Sequence, residues 1–237
     1  AFRCSENQRI ENPIRVLLGK RWSKKLAVEH PQIGMANLLK RLADKGFIRL
    51  YRGSVVGDFD GITLVSLCSN PDAFVQCIRA SLKLIRDYDP RRYKRVVKQT
   101  RWLVDSTLSG GSYSGEYQHR IKATRIDFEL DESVGDQHFH EAYYASLVIH
   151  EATHGVIRDR NIDTEPESRI QVERICTAEG NRFIGLLQRS IPTLSDELVR
   201  PFNPENWAES WNSGPLSRAL KELRRINQKF KNKIPRR

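Results

Sequence analysis

The sequence predicts an α+β fold with a small mixed sheet and a central buried helix, preceded by a mainly helical N-terminal region. Three observations lead to this prediction. Residues 145–157 are apolar on nearly all sides, which is typical of a buried helix. Residues 72–87 carry an apolar stripe at helical spacing. Between these helices, residues 93–104 and 121–130 are rich in β-branched or alternating residues, which indicates strands.

Residues 1–70 are predicted to form an N-terminal extension to a second domain, residues 71–237. Its helices are expected at residues 8–19, 24–29 and 35–44, with Gly46 as the last cap. Strand-like runs at 47–51 and 62–67 follow, joined by a turn rich in Gly and Asp. This order resembles a winged-helix DNA-binding domain, in which four basic residues would meet phosphates: Arg41, Lys45, Arg49 and Arg52. The alternative is a structural extension packed on the second domain.

The central helix carries three polar residues, His150, Glu151 and His154, on an otherwise apolar element. Burying two imidazoles and a carboxylate costs several kcal/mol, about 2–7 for each unsatisfied group, unless partners satisfy them. His150 and His154 are four residues apart, so their rings project from one face and can converge on a divalent metal. Glu151 is rotated by about 100° and can reach a water beside the metal. The alternative is a core helix with hydrogen-bonded histidines and a surface glutamate.

A third metal ligand downstream of His154 would have to be a carboxylate, because no histidine follows it. The candidates are Glu165, Glu167, Glu173 and Glu179. The first two accompany Thr164 and Pro166 in what is predicted to be the first turn of a new helix, and they fit capping roles. Glu173 is the favoured candidate because it lies two turns into that helix among apolar residues. Glu179 remains the alternative.

The pattern His-Glu-x-x-His, followed by 18 residues and Glu173, resembles the zincin metallopeptidases of the gluzincin type. The words at 150–156, His-Glu-Ala-Thr-His-Gly-Val, are similar to the thermolysin version, and the likeness covers about 30 residues. It implies a zincin-like fold with Zn²⁺ held by His150, His154 and Glu173, and with Glu151 as general base. It further implies a peptide or protein substrate, bound in extended form along a strand within residues 95–130.

The chain also departs from this pattern. Thermolysin-like enzymes carry an aspartate one turn after the glutamate ligand, where this chain has Thr177. Those enzymes or the related aminopeptidases use a downstream His or Tyr to stabilise the oxyanion, and neither residue type occurs after Glu173. An upstream donor would have to replace it: Tyr113, Tyr117, His119, Tyr143 or an arginine.

The charge balance predicts an anionic partner, either nucleic acid or an acidic protein. Lys and Arg number 40 against 29 Asp and Glu, which gives a net charge of +11. Residues 216–230 are expected to form a basic amphipathic helix at the end of the second domain. The main alternative function is therefore a basic nucleic-acid-binding protein whose metal site is structural or degenerate. A third possibility is a peptidase that cuts a single partner protein.

Cysteine content and hydropathy bear on the compartment. The four cysteines are too few and too irregularly spaced for a disulfide framework, and Cys77 and Cys176 fit reduced, buried thiols. No run of eighteen apolar residues is present, so no transmembrane segment is predicted. Because the chain starts at Ala1 without an initiator Met, we expect a soluble protein that is cytoplasmic or secreted after N-terminal processing.

Overall fold

A computed structural model describes residues 31–68, 70–106, 115–130, 137–162 and 168–204. The predicted helices at 8–19, 24–29 and 216–230 lie outside these residues. The chain divides into two compact units, Ala1–Phe47 and Ile48–Arg237. The described part of the first unit is helical and belongs to α1 (Pro31–Gly53), which continues into the second unit.

The predicted helix end at Gly46 and the predicted strand at 47–51 are wrong, because α1 runs through both. A glycine inside a helix costs only about 1 kcal/mol, and tertiary packing of the last turns outweighs it. Tyr51 is 1% exposed, its ring centroid lies 6.0 Å from that of Trp102, and its hydroxyl donates to Gln118 Oε1.

A two-residue turn joins β1 (Val55–Phe59) to β2 (Ile62–Ser66). Asp60 and Gly61 in that turn have φ values of 47° and 84°, the left-handed conformation that suits an Asp-Gly hairpin. The predicted strand at 62–67 is therefore confirmed as β2, but its hairpin partner is β1 and not residues 47–51.

The sheet has five strands in the order β1-β2-β3-β5-β4. Its other members are β3 (Trp102–Asp105), β4 (Gly115–Gln118) and β5 (Ala123–Ile126). The three inner strands are parallel, whereas β1 and β4 pair antiparallel at the two edges. The predicted mixed sheet is confirmed. It joins residues 55–66 to residues 102–126, so the predicted boundary after residue 70 separates strands that the structure pairs.

Two consecutive helices, α2 (Pro71–Tyr88) and α3 (Pro90–Gln99), lead into β3. The predicted helix at 72–87 is confirmed as α2, and its apolar stripe is fully buried. The predicted strand at 93–104 is wrong over its first seven residues, which are helical. The reason is local: the Asp89 side chain accepts from the Arg92 N–H, and Pro90 occupies the first turn, so this pair starts a helix.

The central helix is α4 (Gln137–Asp159), and α5 (Ser168–Ser190) follows it. A short 3₁₀ turn, Asp196–Leu198, closes the described part. α4 packs against α2, α3, α5 and the sheet, which confirms the α+β arrangement around a buried helix. Within the described residues, no helix is both long enough and apolar enough to span a membrane.

Candidate metal centre

Two imidazoles meet on one face of α4. His150 and His154 lie one turn apart, and their Nε2 atoms are 3.2 Å from each other. His150 is buried at 7% exposure, whereas the His154 side chain keeps 19% of its surface exposed. The apolar residues of α4 pack into the core on the other sides of the helix, so the burial of this polar pair follows from the position of α4 in the fold.

Helix α5 brings the carboxylate of Glu173 to this pair. Its Oε2 lies 3.3 Å from Nε2 of His150 and 3.5 Å from Nε2 of His154. This oxygen is buried and makes no well-aligned hydrogen bond. The two helices approach closely because position 180 is glycine. A Cβ at Gly180 would lie 3.1 Å from the main-chain oxygen of Ser146.

The three donor atoms form a nearly equilateral triangle with edges of 3.2, 3.3 and 3.5 Å. Ligands that hold a tetrahedral ion at about 2.0–2.1 Å are about 3.3 Å from one another. The triangle therefore has the size of one face of such a coordination sphere. A cation there would also satisfy the buried Glu173 oxygen that lacks a hydrogen bond. On both grounds the residues present fit a divalent metal.

A thiol lies at the same place. Cys176 is fully buried, and its sulfur lies within 4.8 Å of a ring nitrogen of each histidine, so His150, His154 and Cys176 together could hold a metal ion. Its side chain is hydrogen bonded to that of His154. Sequence reasoning predicted the burial of Cys176 correctly but missed its place at the site. The available signal was its spacing of three residues from Glu173, which puts both side chains on one face of α5.

Glu151 lies beside the triangle and not at one of its corners. Its Oε1 is 4.0 Å from Nε2 of His150, and the residue is 4% exposed. On the other side it meets β4, where a Cβ at Gly115 would lie 2.6 Å from the same oxygen. Glu151 is therefore held between the histidine pair and the backbone of an edge strand.

The electrostatics differ between the two carboxylates. Burial raises the pKa of Glu151, although the charges of His150 and His154 act in the opposite direction. Burial also disfavours ionisation of Glu173, but hydrogen bonds from the two histidines outweigh it and lower the pKa of Glu173 to about 2. Glu173 is thus an anion that faces the triangle, and Glu151 is a carboxylate with enhanced proton affinity beside it.

Glu179, the alternative ligand, points elsewhere. Its Oε2 accepts from Arg92 Nε at 3.2 Å and from Arg95 Nη1 at 3.3 Å, both on α3. Its Oε1 accepts from Arg182 on its own helix. The structure therefore brings Glu173 to the histidine pair and engages Glu179 with arginines. Glu165 and Glu167 lie outside the described residues.

The upstream candidates for an oxyanion donor have other partners. The Tyr117 hydroxyl donates to the main-chain oxygen of Gln99 at 2.9 Å. His119 Nε2 lies 3.2 Å from Asp159 Oδ1. The ring of Tyr143 lies 4.3 Å from the guanidinium carbon of Arg200. Tyr113 lies outside the described residues. These contacts select no oxyanion donor.

Comparison with known proteins gives no relative: no protein family matches the chain, and neither the curated proteins nor the solved structures contain a match.

Proposed function

We propose that the chain is a zinc-dependent metallopeptidase of the zincin type, with His150, His154 and Glu173 as zinc ligands. The single observation that carries the proposal is the triangle of donor atoms, with edges near 3.3 Å, with a buried carboxylate beside it. Three protein donors in a partly exposed site leave one position for water or substrate, which is the arrangement of catalytic zinc sites.

In this proposal Glu151 is the general base. A zinc ion at the triangle supplies a Lewis acid that lowers the pKa of a bound water towards about 7. Glu151 takes the proton of the attacking water and returns it to the leaving amine of the cleaved peptide bond. Burial raises the pKa of Glu151, and this shift favours proton transfer near neutral pH.

The sheet supports an extended peptide as substrate. β4 is the last strand of the sheet formed by the described residues, and its first residue contacts Glu151. A peptide that pairs with the open edge of β4 would form main-chain hydrogen bonds and place one of its carbonyl groups near the triangle. We therefore propose that β4 is the strand that binds substrate.

The direct test replaces Glu151 with Gln and measures both zinc content and hydrolysis of a mixed peptide library. The substitution removes the base and no proposed ligand, so we expect zinc content to stay at one per chain while the cleavage rate falls by about 10²–10⁴-fold. Glu141→Gln is the matched control, since Glu141 is another buried carboxylate on α4. Undiminished cleavage by Glu151→Gln would rule out the proposed base.

A second candidate function is the binding of a nucleic acid, and one surface favours it. Helix α3 exposes Arg91, Lys94, Arg95 and Lys98 at helical spacing on one stripe, and residues 90–101 contain no acid. Such a stripe fits a row of phosphates. Lys94→Gln with Lys98→Gln should weaken binding of a single-stranded oligonucleotide and flatten its salt dependence by roughly one unit of slope per contact. An unchanged salt dependence would eliminate α3 as the binding surface.

A further inference from the structure

Each of the two helices that build the triangle offers a pair of donors. On α4 these are His150 and His154, four residues apart; on α5 they are Glu173 and Cys176, three residues apart. Residues at both spacings are neighbours on one helix face. The Cys176 sulfur lies within 4.8 Å of both histidines, so the four side chains form one cluster of metal-binding groups.

We propose that Cys176 is a fourth protein ligand of the metal centre, so that the resting site is closed by two histidines, Glu173 and a thiolate. The inference rests on the proposed metal centre and adds a regulatory state to it. While the thiolate is bound, water has no coordination position. The site becomes competent for hydrolysis only when Cys176 leaves it.

The surroundings of Cys176 favour this assignment. The side chain is fully buried and clusters with Ile157 and Val172, two apolar residues that keep water away from the sulfur. Zinc accepts thiolate sulfur at about 2.3 Å, and sites with four protein ligands from Cys, His and carboxylate donors are closed. When the sulfur binds, the thiol proton is released to solvent, and when it leaves, it takes up a proton again. No oxidant or reductant is needed.

The donor set also predicts which ions bind. A thiolate next to two imidazoles selects zinc, cadmium and cobalt over magnesium, calcium and manganese. A site made only of His150, His154 and Glu173 would discriminate less strongly against the harder ions. The alternative role for Cys176 is a hydrogen bond to the His154 ring from outside the coordination sphere, and this role predicts no sulfur–metal bond.

Cobalt spectroscopy separates the two roles. The full-length chain is stripped of metal and titrated with Co²⁺ alone, and the absorption spectrum is recorded. A sulfur–cobalt bond gives an intense near-ultraviolet charge-transfer band, which nitrogen and oxygen ligands do not give. We expect this band in the wild-type chain and in Cys77→Ser, a matched control at another buried thiol. It should be absent in Cys176→Ser, with zinc affinity reduced by more than the roughly 10–100-fold typical of an outer-sphere partner.

The outcomes are distinct. Wild-type protein that binds one Co²⁺ without a charge-transfer band overturns the fourth ligand and leaves the metal centre intact. Wild-type protein that binds no Co²⁺ overturns both the fourth ligand and the proposed metallopeptidase. A charge-transfer band in a protein that cleaves no peptide supports the fourth ligand and contradicts the peptidase. Because the first measurement uses wild-type protein, misfolding of a variant cannot obscure it.

Discussion

The carboxylate of Glu151 lies so close to the backbone of Gly115 that a methyl group has no room between them. An added Cβ at position 115 would be 2.6 Å from Glu151 Oε1 and 2.9 Å from Leu147 Cδ1. Gly115 is not required for a left-handed turn. It is required because a strand passes directly over the proposed base, and any larger residue would displace that base.

Gly115→Ala should therefore impair catalysis without removing the metal. Displacing a catalytic group by about 1 Å can cost on the order of 100-fold in rate, so we expect a loss of about 10–100-fold in kcat/KM. Zinc content should stay at one per chain, because no proposed ligand contacts position 115. Gly185→Ala is the control, since nothing lies within 4 Å of a Cβ there. Full activity in Gly115→Ala would show that Glu151 is not held in a required position.

At this scale the sequence predicted what lies on one helix. His150, Glu151 and His154 share α4, and the 3.6-residue period alone places the two imidazoles on one face. The preference for Glu173 over Glu179 agrees with the geometry because an apolar environment favours a buried ligand. Gly115 and Cys176 were missed as site residues because their proximity depends on how β4 and α5 pack on α4, and no local pattern encodes that packing.

Helix α5 presents its two acids to different neighbours, and the close crossing with α4 determines which neighbour each one meets. Gly180 lies against the main chain of Ser146, one turn before His150. A bulkier residue at this crossing would push the helices apart by a few tenths of an ångström and move Glu173 away from the histidine pair.

Gly180→Ala should weaken zinc binding by about 10-fold and lower the free energy of unfolding by about 1–3 kcal/mol, as expected for overpacking. Isothermal titration calorimetry and denaturant unfolding measure the two effects. Gly185→Ala on the same helix should stabilise the chain by up to about 1 kcal/mol, because alanine is the better helix former. Equal zinc affinity in both variants would contradict a role of the crossing in forming the site.

The acid Glu179 links α5 to α3 through Arg92 and Arg95. Burial disfavours its charge, but hydrogen bonding to Arg182 and the charges of the arginines lower its pKa below the ordinary value of 4.5. A lowered pKa means that Glu179 stabilises the fold above pH 4.5 and loses this contribution as the pH falls through the lowered value.

Glu179→Gln should therefore lower the free energy of unfolding by about 2 kcal/mol at pH 7. The difference from wild type should shrink as the pH falls below 4.5, because wild-type Glu179 then becomes neutral as well. Urea unfolding at a series of pH values measures this convergence. A constant difference at all pH values would show that the ion pairs are not its source.

Elements were predictable where their signals were local. α2, α4 and α5 follow from apolar periodicity, and β2 and β5 from short β-branched runs. The errors at 47–51 and 93–104 have one cause: β-branched and aromatic residues also occupy helices when tertiary packing or a cap favours the helix. Asp89-Pro90 is the clearest case, because it ends α2 and at the same time starts α3.

For the whole molecule, the proposal predicts that metal binding is coupled to folding. The donors of α4 and α5 meet only in the folded chain, so zinc stabilises the native state by mass action. Free zinc at 100 times its Kd should raise the free energy of unfolding by about 2.7 kcal/mol. Thermal unfolding with and without a chelator measures the shift, and His154→Ala should abolish it. An equal shift in His154→Ala would place the ion elsewhere in the chain.

The order of the sheet is also a property of the whole chain that the sequence did not reveal. The crossover that puts β5 between β3 and β4 leaves β4 at the edge beside Glu151. Composition and periodicity identify strands but carry no information on their order. The net charge of +11 likewise predicts an anionic partner without locating the surface, and the structure locates one basic stripe on α3.

The most direct test of the central claim compares zinc stoichiometry in two variants of one helix, Glu173→Gln and Glu179→Gln, by equilibrium dialysis and elemental analysis. Both substitutions remove one buried negative charge from α5. The account predicts one zinc per chain with near wild-type affinity in Glu179→Gln, and a loss of about 100-fold or more in Glu173→Gln. One tightly bound zinc in Glu173→Gln, or none in the wild-type chain, would contradict it.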